Sequence, residues 1–84
     1  MTADYAIQRA ILDILCALDG LSLAEKILSS EVSLRRPHNV SSDDVRDQLA
    51  LLKTNGMVAT ERGPLGETRW RRTPSGEAAW RDLQ

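Results

Sequence analysis

The sequence predicts a single α+β domain with a three-helix bundle, a two-stranded β-hairpin and a short C-terminal helix. Up to residue 56, apolar residues recur at helical spacing in three segments. From residue 57 to 73 the period changes to two, and Thr73-Pro74 then offers a helix start. With 84 residues, 42% of them hydrophobic and 27% charged, the chain suits one core spanning residues 1–84.

The first helix is predicted between Asp4 and Asp19. Its apolar residues lie three or one positions apart, which places them along one side of a helix. Thr2 suits the N-cap, and Gly20 suits the left-handed conformation that ends many helices. The single cysteine, Cys16, is expected on this helix as a small buried residue.

The second helix is predicted to start in the segment from Ser22 to Glu25. Its Ser-x-x-Glu pattern is that of a capping box, in which each side chain accepts a hydrogen bond from an exposed amide at the helix start. Ile27 and Leu28 are expected on the buried side. The helix must end before Pro37, because proline disfavours helical geometry in the preceding residue.

The third helix is predicted after Ser41 and Ser42, whose hydroxyls suit helix capping. Asn55-Gly56 closes it with residues that tolerate positive φ. Three aliphatic residues on one side are expected to hold it against the first two helices: Val45, Leu49 and Leu52.

The period-two region predicts two strands, residues 57–60 and 67–73, joined by a turn at Gly63-Pro64-Leu65-Gly66. After it, Thr73 is the expected N-cap of a helix that runs to about residue 83. This last helix is expected to bury three side chains against the core: Ala79, Trp80 and Leu83.

Several classes of function are excluded by composition. One cysteine and one histidine, Cys16 and His38, allow neither a disulfide nor a zinc cluster, and no cofactor or metal is expected. No catalytic acid–base pair or Ser/His/Asp set can be assembled, so we expect no enzymatic activity. The sequence shows no secretion signal and no long apolar run, which predicts a cytoplasmic protein.

The formal net charge of −1 hides an asymmetry along the chain. Residues 1–34 carry two basic and five acidic side chains, whereas residues 35–84 carry nine basic and seven acidic. A phosphate group responds to the charge of the surface that it approaches, so near-neutrality does not forbid a nucleic-acid partner.

In this order the elements resemble the winged helix-turn-helix family of DNA-binding domains, as in small bacterial regulators of the multiple-antibiotic-resistance and phenolic-acid types. The pattern Val45-x-x-x-Leu49-x-x-Leu52-x-x-x-Gly56-x-Val58 is similar to their recognition helix and first wing strand. The stretch from Arg71 to Ala78 is similar to their exit from the wing, although Arg72 stands where the family usually has an aliphatic residue.

The resemblance implies a transcriptional regulator that binds double-stranded DNA. It also implies that the protein could form a homodimer through its terminal helices. The third helix would enter the major groove. The hairpin, or wing, would contact the backbone through outward-pointing guanidinium groups while Trp70 packs inward. The expected contacts are three residues of the third helix, three of the wing and two before the helix: Ser42, Arg46, Lys53, Arg62, Arg69, Arg71, Arg35 and Arg36.

An alternative interpretation is a winged-helix module that binds a protein within a larger assembly. The face of the third helix opposite its core residues carries Asp43 and Asp47, and carboxylates near phosphates usually repel. Leu51 also lies off the core stripe. Such a face suits a basic protein partner, and the sequence leaves both interpretations open.

Overall fold

The computed structural model describes residues 3–35 and 40–84. The predictions for Thr2, Arg36, Pro37 and His38 therefore lie outside the described residues. Within the described ranges the chain forms four helices and three strands: α1 (Ala3–Ala17), β1 (Leu23–Ala24), α2 (Glu25–Arg35), α3 (Ser42–Thr54), β2 (Val58–Arg62), β3 (Thr68–Arg72) and α4 (Pro74–Asp82). This is the α+β architecture that the sequence predicts.

The sheet contains one strand more than the predicted hairpin. Its order is β1-β3-β2, with both neighbours antiparallel to β3. The additional strand, β1, pairs Leu23 with Trp70 on β3. We keep the name wing for the hairpin of β2, β3 and their turn, residues 58–72.

The capping box predicted at Ser22 and Glu25 is wrong. Helix α2 begins at Glu25, and both side chains have partners on β3. The Ser22 hydroxyl accepts a hydrogen bond from Nε of Arg69 at 2.8 Å, and the Glu25 carboxylate accepts one from Nε1 of Trp70 at 3.1 Å. Contacts between distant parts of the chain have overridden the local pattern.

The core lies where α1, α2, α3 and the inner face of the sheet meet. Helix α1 is the most deeply buried element, with Ile11 and Leu15 fully enclosed. The three predicted residues of α3 are buried as expected. On α2, Leu28 is buried but Ile27 is 53% exposed, so the expectation for Ile27 is wrong.

The ends of α3 confirm the sequence prediction. The Ser41 hydroxyl accepts a hydrogen bond from the Asp44 amide, and the Asp44 carboxylate accepts one from the Ser41 amide, both at 3.1 Å. At the other end Asn55 is the C-cap, and Gly56 has a φ of +74°, a conformation that favours glycine. Helix α3 is therefore defined at both ends by its own residues and those next to it.

Helix α4 starts as predicted and packs on α1. The Thr73 hydroxyl accepts a hydrogen bond from the Gly76 amide, and Pro74 occupies the first turn. Trp80 is half-buried against the core, and its indole N–H donates to Asp13 on α1 at 2.7 Å. Ala79 and Leu83 are likewise only half-buried.

Arg72, the departure from the family pattern, links three elements. Its Nη1 donates to the carbonyl of Cys16 at the end of α1 at 2.9 Å. Its Nη2 lies 3.5 Å from a carboxylate oxygen of Asp19 and 3.5 Å from one of Glu77. A cation is favourable at a helix C-terminus, so arginine can replace an aliphatic residue here.

Burial raises the pKa of the Cys16 thiol, which keeps this thiol protonated and unreactive.

Gly76 provides a test of the contact between α4 and the start of the wing. A Cβ at this position would collide with the backbone carbonyl of Met57, whereas one at Gly63 would displace only the Glu67 carboxylate, whose partly exposed contacts contribute little. We expect Gly76→Ala to lower the free energy of unfolding by about 2–3 kcal/mol, although the same change usually stabilises a helix by about 1 kcal/mol. Gly63→Ala should cost less than about 1 kcal/mol. Urea unfolding measures both, and a Gly76→Ala protein as stable as wild type would contradict this account of the packing.

Candidate nucleic-acid interface

The side of α3 that faces away from the core carries mainly acidic and small side chains. Asp43, Asp47, Ala50, Leu51 and Thr54 are all exposed. Ser42, at the first position of the helix, is also exposed, and its hydroxyl has no partner among the described residues. The face that the family resemblance directs toward bases therefore offers two carboxylates and few hydrogen-bond donors.

Arg46 lies on the flank of α3 and is shared between two carboxylates. Its Nη2 is 3.4 Å from Glu25 on α2, and its Nη1 is 4.0 Å from Asp43. The side chain is 63% exposed. Exposed ion pairs contribute about 0–1 kcal/mol, so either contact can be exchanged for a stronger partner at little cost.

A groove separates the C-terminal half of α3 from the inner face of the wing. Thr60 is opposite Trp70 in the ladder and Arg62 is opposite Thr68, so all four side chains share one face of the sheet. Trp70 on this face is buried in the core. The residues of the same face that are nearer the tip of the wing therefore lie beside α3. The groove is lined by Lys53 from the helix and by these wing residues together with Glu61. It thus brings two exposed cations, Lys53 and Arg62, to one concave surface.

A second groove lies between α2 and the start of α3. Its lining includes Lys26, Ser42 and Arg46. Two further serines in it are already engaged, because the Ser30 hydroxyl donates to the Lys26 carbonyl and the Ser33 hydroxyl donates to the Val40 carbonyl. The exposed donors that remain in this groove are those of the two cations and Ser42, and the buried Ser29 also lines it.

Arg69 does not point outward as the sequence interpretation requires. Its Nε and Nη2 donate to the hydroxyl and carbonyl of Ser22 at 2.8 and 3.0 Å, and its Nη1 lies 3.5 Å from Glu67. All three guanidinium nitrogens are therefore occupied, and the side chain is only 29% exposed. Arg69 braces the wing against the segment that enters β1.

Arg71 and Arg62 are the more accessible guanidinium groups of the wing. Arg71 is exposed, with its Nε 3.6 Å from Glu61 on the neighbouring strand. Arg62 is exposed at the end of β2, and its Nη1 donates to the Gly66 carbonyl at 3.2 Å. Arg35 is exposed at the last turn of α2, and Arg36 lies outside the described residues.

The turn of the wing is held by hydrogen bonds from both sides. The Gly63 amide donates to the Glu67 carbonyl at 2.8 Å, and the Gly66 amide donates to the Gly63 carbonyl at 3.0 Å. The Glu67 carboxylate accepts from the Leu65 amide at 3.0 Å. Hydrogen bonds from its own amide and from that of Leu65, together with the charge of Arg69, lower the pKa of the Glu67 carboxyl below its ordinary range. The carboxylate therefore stays ionised and bonded at neutral pH.

The described residues show neither a metal site nor a membrane segment. No group of three or more His, Cys, Asp or Glu side chains converges within residues 3–35 and 40–84. In the same part of the chain, every helix falls short of the length and apolar character that a bilayer crossing requires.

Neither the models of known protein families nor the sequences of curated proteins match the chain. Solved structures do resemble it. F93 from STIV, a winged-helix DNA-binding protein, superposes with a TM-score of 0.75 at 24% identity over 99% of this chain and 85% of its own. A transcriptional regulator from Clostridium thermocellum gives a TM-score of 0.78 at 17% identity over 99% of this chain and 84% of its own.

A MarR family transcriptional regulator from Silicibacter pomeroyi also gives a TM-score of 0.78, at 23% identity over 93% of this chain. The match covers 48% of the regulator, so the present chain spans about half of its length. These identities establish the fold, and the chain accordingly has the winged-helix fold that the family resemblance implied.

Arg69 and Arg71 lie on the same face of β3, and replacing each one tests whether Arg69 supports the fold while Arg71 does not. We expect Arg69→Ala to lower the free energy of unfolding by about 1–2 kcal/mol, because it removes two hydrogen bonds and an ion pair from a half-buried site. Arg71→Ala should change it by less than about 0.5 kcal/mol, because an exposed ion pair contributes little. Thermal or urea unfolding distinguishes them, and equal effects would contradict the assigned role of Arg69.

Proposed function

We propose that this chain binds duplex DNA as a transcriptional regulator, with α3 directed to the major groove and the wing on the sugar–phosphate backbone. The observation that supports the proposal most is the groove in which Lys53 and Arg62 lie between α3 and the wing. The fold of the chain also supports it, because F93, a winged-helix DNA-binding protein, and a MarR family transcriptional regulator have the same fold. A single domain over residues 1–84 is part of the proposal.

Local rather than overall charge would drive the binding. The chain has a formal net charge of −1, so its net charge gives no general attraction to DNA. The proposed phosphate contacts are the exposed cations near α3 and the wing: Arg35, Arg46, Lys53, Arg62 and Arg71. Charge-assisted bonds to phosphate are stronger than exposed ion pairs, so the contacts of Arg46 to Glu25 and of Arg71 to Glu61 can be exchanged for DNA.

The acidic face of α3 limits what that helix contributes. Carboxylates of Asp43 and Asp47 can accept hydrogen bonds from cytosine, but they repel nearby phosphates. We therefore infer that phosphate contacts from the wing and from the flanks of α3 dominate the affinity, with Ser42 as a neutral donor. Arg69 is left out of the contact set because its guanidinium group is already occupied, and contact by Arg36 and dimerisation through the terminal helices remain proposals.

A second candidate function is binding of a basic protein. It is favoured by the same two carboxylates together with Leu51, which is 50% exposed beside them. An apolar side chain beside acidic ones suits a partner that presents lysine or arginine next to an apolar residue. The two functions make opposite predictions for the acidic face.

The salt dependence of binding tests the proposed function. If three to five phosphates are neutralised, the logarithm of the affinity for a duplex should fall with the logarithm of salt concentration with a slope of about −3 to −4.5. The Arg62→Ala/Arg71→Ala variant should reduce the magnitude of that slope by about 2. Arg81→Ala is the matched control, because Arg81 is exposed on α4 and pairs with Glu77, and it should leave the slope unchanged.

The acidic face separates the two candidate functions. We expect Asp43→Asn/Asp47→Asn to tighten duplex binding by roughly three- to tenfold at low salt, because it removes two charges that repel phosphate. For a module that binds a basic protein, the same variant should lose its partner. Fluorescence anisotropy with a labelled random-sequence duplex is the measurement, and failure of the wild-type protein to bind any duplex at low salt would reject the DNA proposal.

A further inference from the structure

Leu65 is the most exposed large hydrophobic residue of the described chain, at 92%. It lies at the tip of the wing between Pro64 and Gly66, beyond the end of the β2–β3 ladder. Single exposed leucines are common on protein surfaces and need no explanation by themselves. Leu65 differs from the others in how its backbone is held and in the charge beside it.

The tip holds Leu65 in a defined position. Its own amide is bonded to the Glu67 carboxylate, and the flanking turn is closed by the bond between the Gly66 amide and the Gly63 carbonyl. Pro64 restricts φ, and Gly66 adopts a φ of +81° that suits glycine. Because the backbone is ordered before any partner arrives, burying this side chain costs little further backbone entropy.

The guanidinium group of Arg62 lies next to Leu65 at the tip of the wing. The Arg62 guanidinium group donates to the Gly66 carbonyl at 3.2 Å, one residue from Leu65. An apolar side chain on an ordered backbone, next to an arginine, suits entry into the DNA minor groove, where the cation can meet the phosphates and the apolar group can separate two base pairs. A protein surface would also accept a leucine, but it would not require the neighbouring cation.

We propose that Leu65 is a wedge that enters a base step of duplex DNA from the minor groove, so that the protein selects sequences by their deformability. The inference rests on the proposed function and adds a source of sequence preference to it. Such a source is needed because the exposed face of α3 offers few donors to base edges. Sequence-dependent stiffness can supply the preference without base-specific hydrogen bonds.

Two duplexes of about 24 base pairs isolate this property. One alternates dT and dA, and the other is a run of dA paired with dT. They have the same base composition and present the same minor-groove acceptors, but the alternating duplex contains flexible TA steps and the run is stiff. We expect wild-type protein to bind the alternating duplex about tenfold more tightly. Leu65→Ala should reduce this preference to within about twofold.

Leu21→Ala is the matched control, because Leu21 is a 69% exposed leucine in the turn between α1 and β1. It should keep the wild-type preference. Fluorescence of 2-aminopurine placed beside the TA steps should rise on binding of wild type and of Leu21→Ala but not of Leu65→Ala, because only a wedge unstacks the base.

The outcomes separate this inference from the function on which it rests. A Leu65→Ala variant that keeps the tenfold preference, or that weakens both duplexes equally, would reject the wedge. The DNA proposal would survive either result, provided that Arg62→Ala/Arg71→Ala weakens binding to both duplexes. Failure of wild type to bind either duplex at low salt would reject the proposed function and the wedge together.

Discussion

The burial of Trp70 on the central strand, with its indole N–H donated to Glu25, is the contact on which the arrangement of this molecule depends. Strand β3 lies between β1 and β2, so the position of Trp70 sets the position of the whole sheet. The second carboxylate oxygen of Glu25 meets Arg46 on α3. One side chain at the start of α2 thus ties the sheet to the core and contacts a cation on α3. Without this acceptor the indole N–H would be an unsatisfied buried donor, which costs about 1–3 kcal/mol.

The sequence predicts those parts of the fold that depend on neighbouring residues. The N-caps of α3 and α4 are confirmed because the capping side chains bond amides three positions away. Ser22 and Glu25 show the same local pattern, yet their partners on β3 are more than forty positions distant. A two-residue strand such as β1 carries no period of its own, so only its pairing with β3 reveals it.

Strand β1, which the sequence did not predict, also explains why Arg69 does not point outward as expected. Arg69 and Arg71 lie on one face of β3 and are equivalent in the sequence pattern. In the structure Arg69 lies opposite Ala24 of β1 and reaches Ser22, whereas Arg71 lies opposite Ala59 of β2 and stays exposed. Accessibility of Lys53 followed from helix periodicity and that of Arg62 from its place in the predicted hairpin, but their meeting in one groove required the packing of α3 against the sheet.

The central claim is that the wing and the flanks of α3 form one surface for duplex DNA. Amide chemical-shift mapping during titration with a random-sequence duplex at low salt tests it directly. The account predicts the largest shifts at residues 62–67 and at Ser42 and Lys53, with little change in α1 or α4. Shifts confined to α4, or to the acidic face of α3 with the wing unchanged, would contradict it.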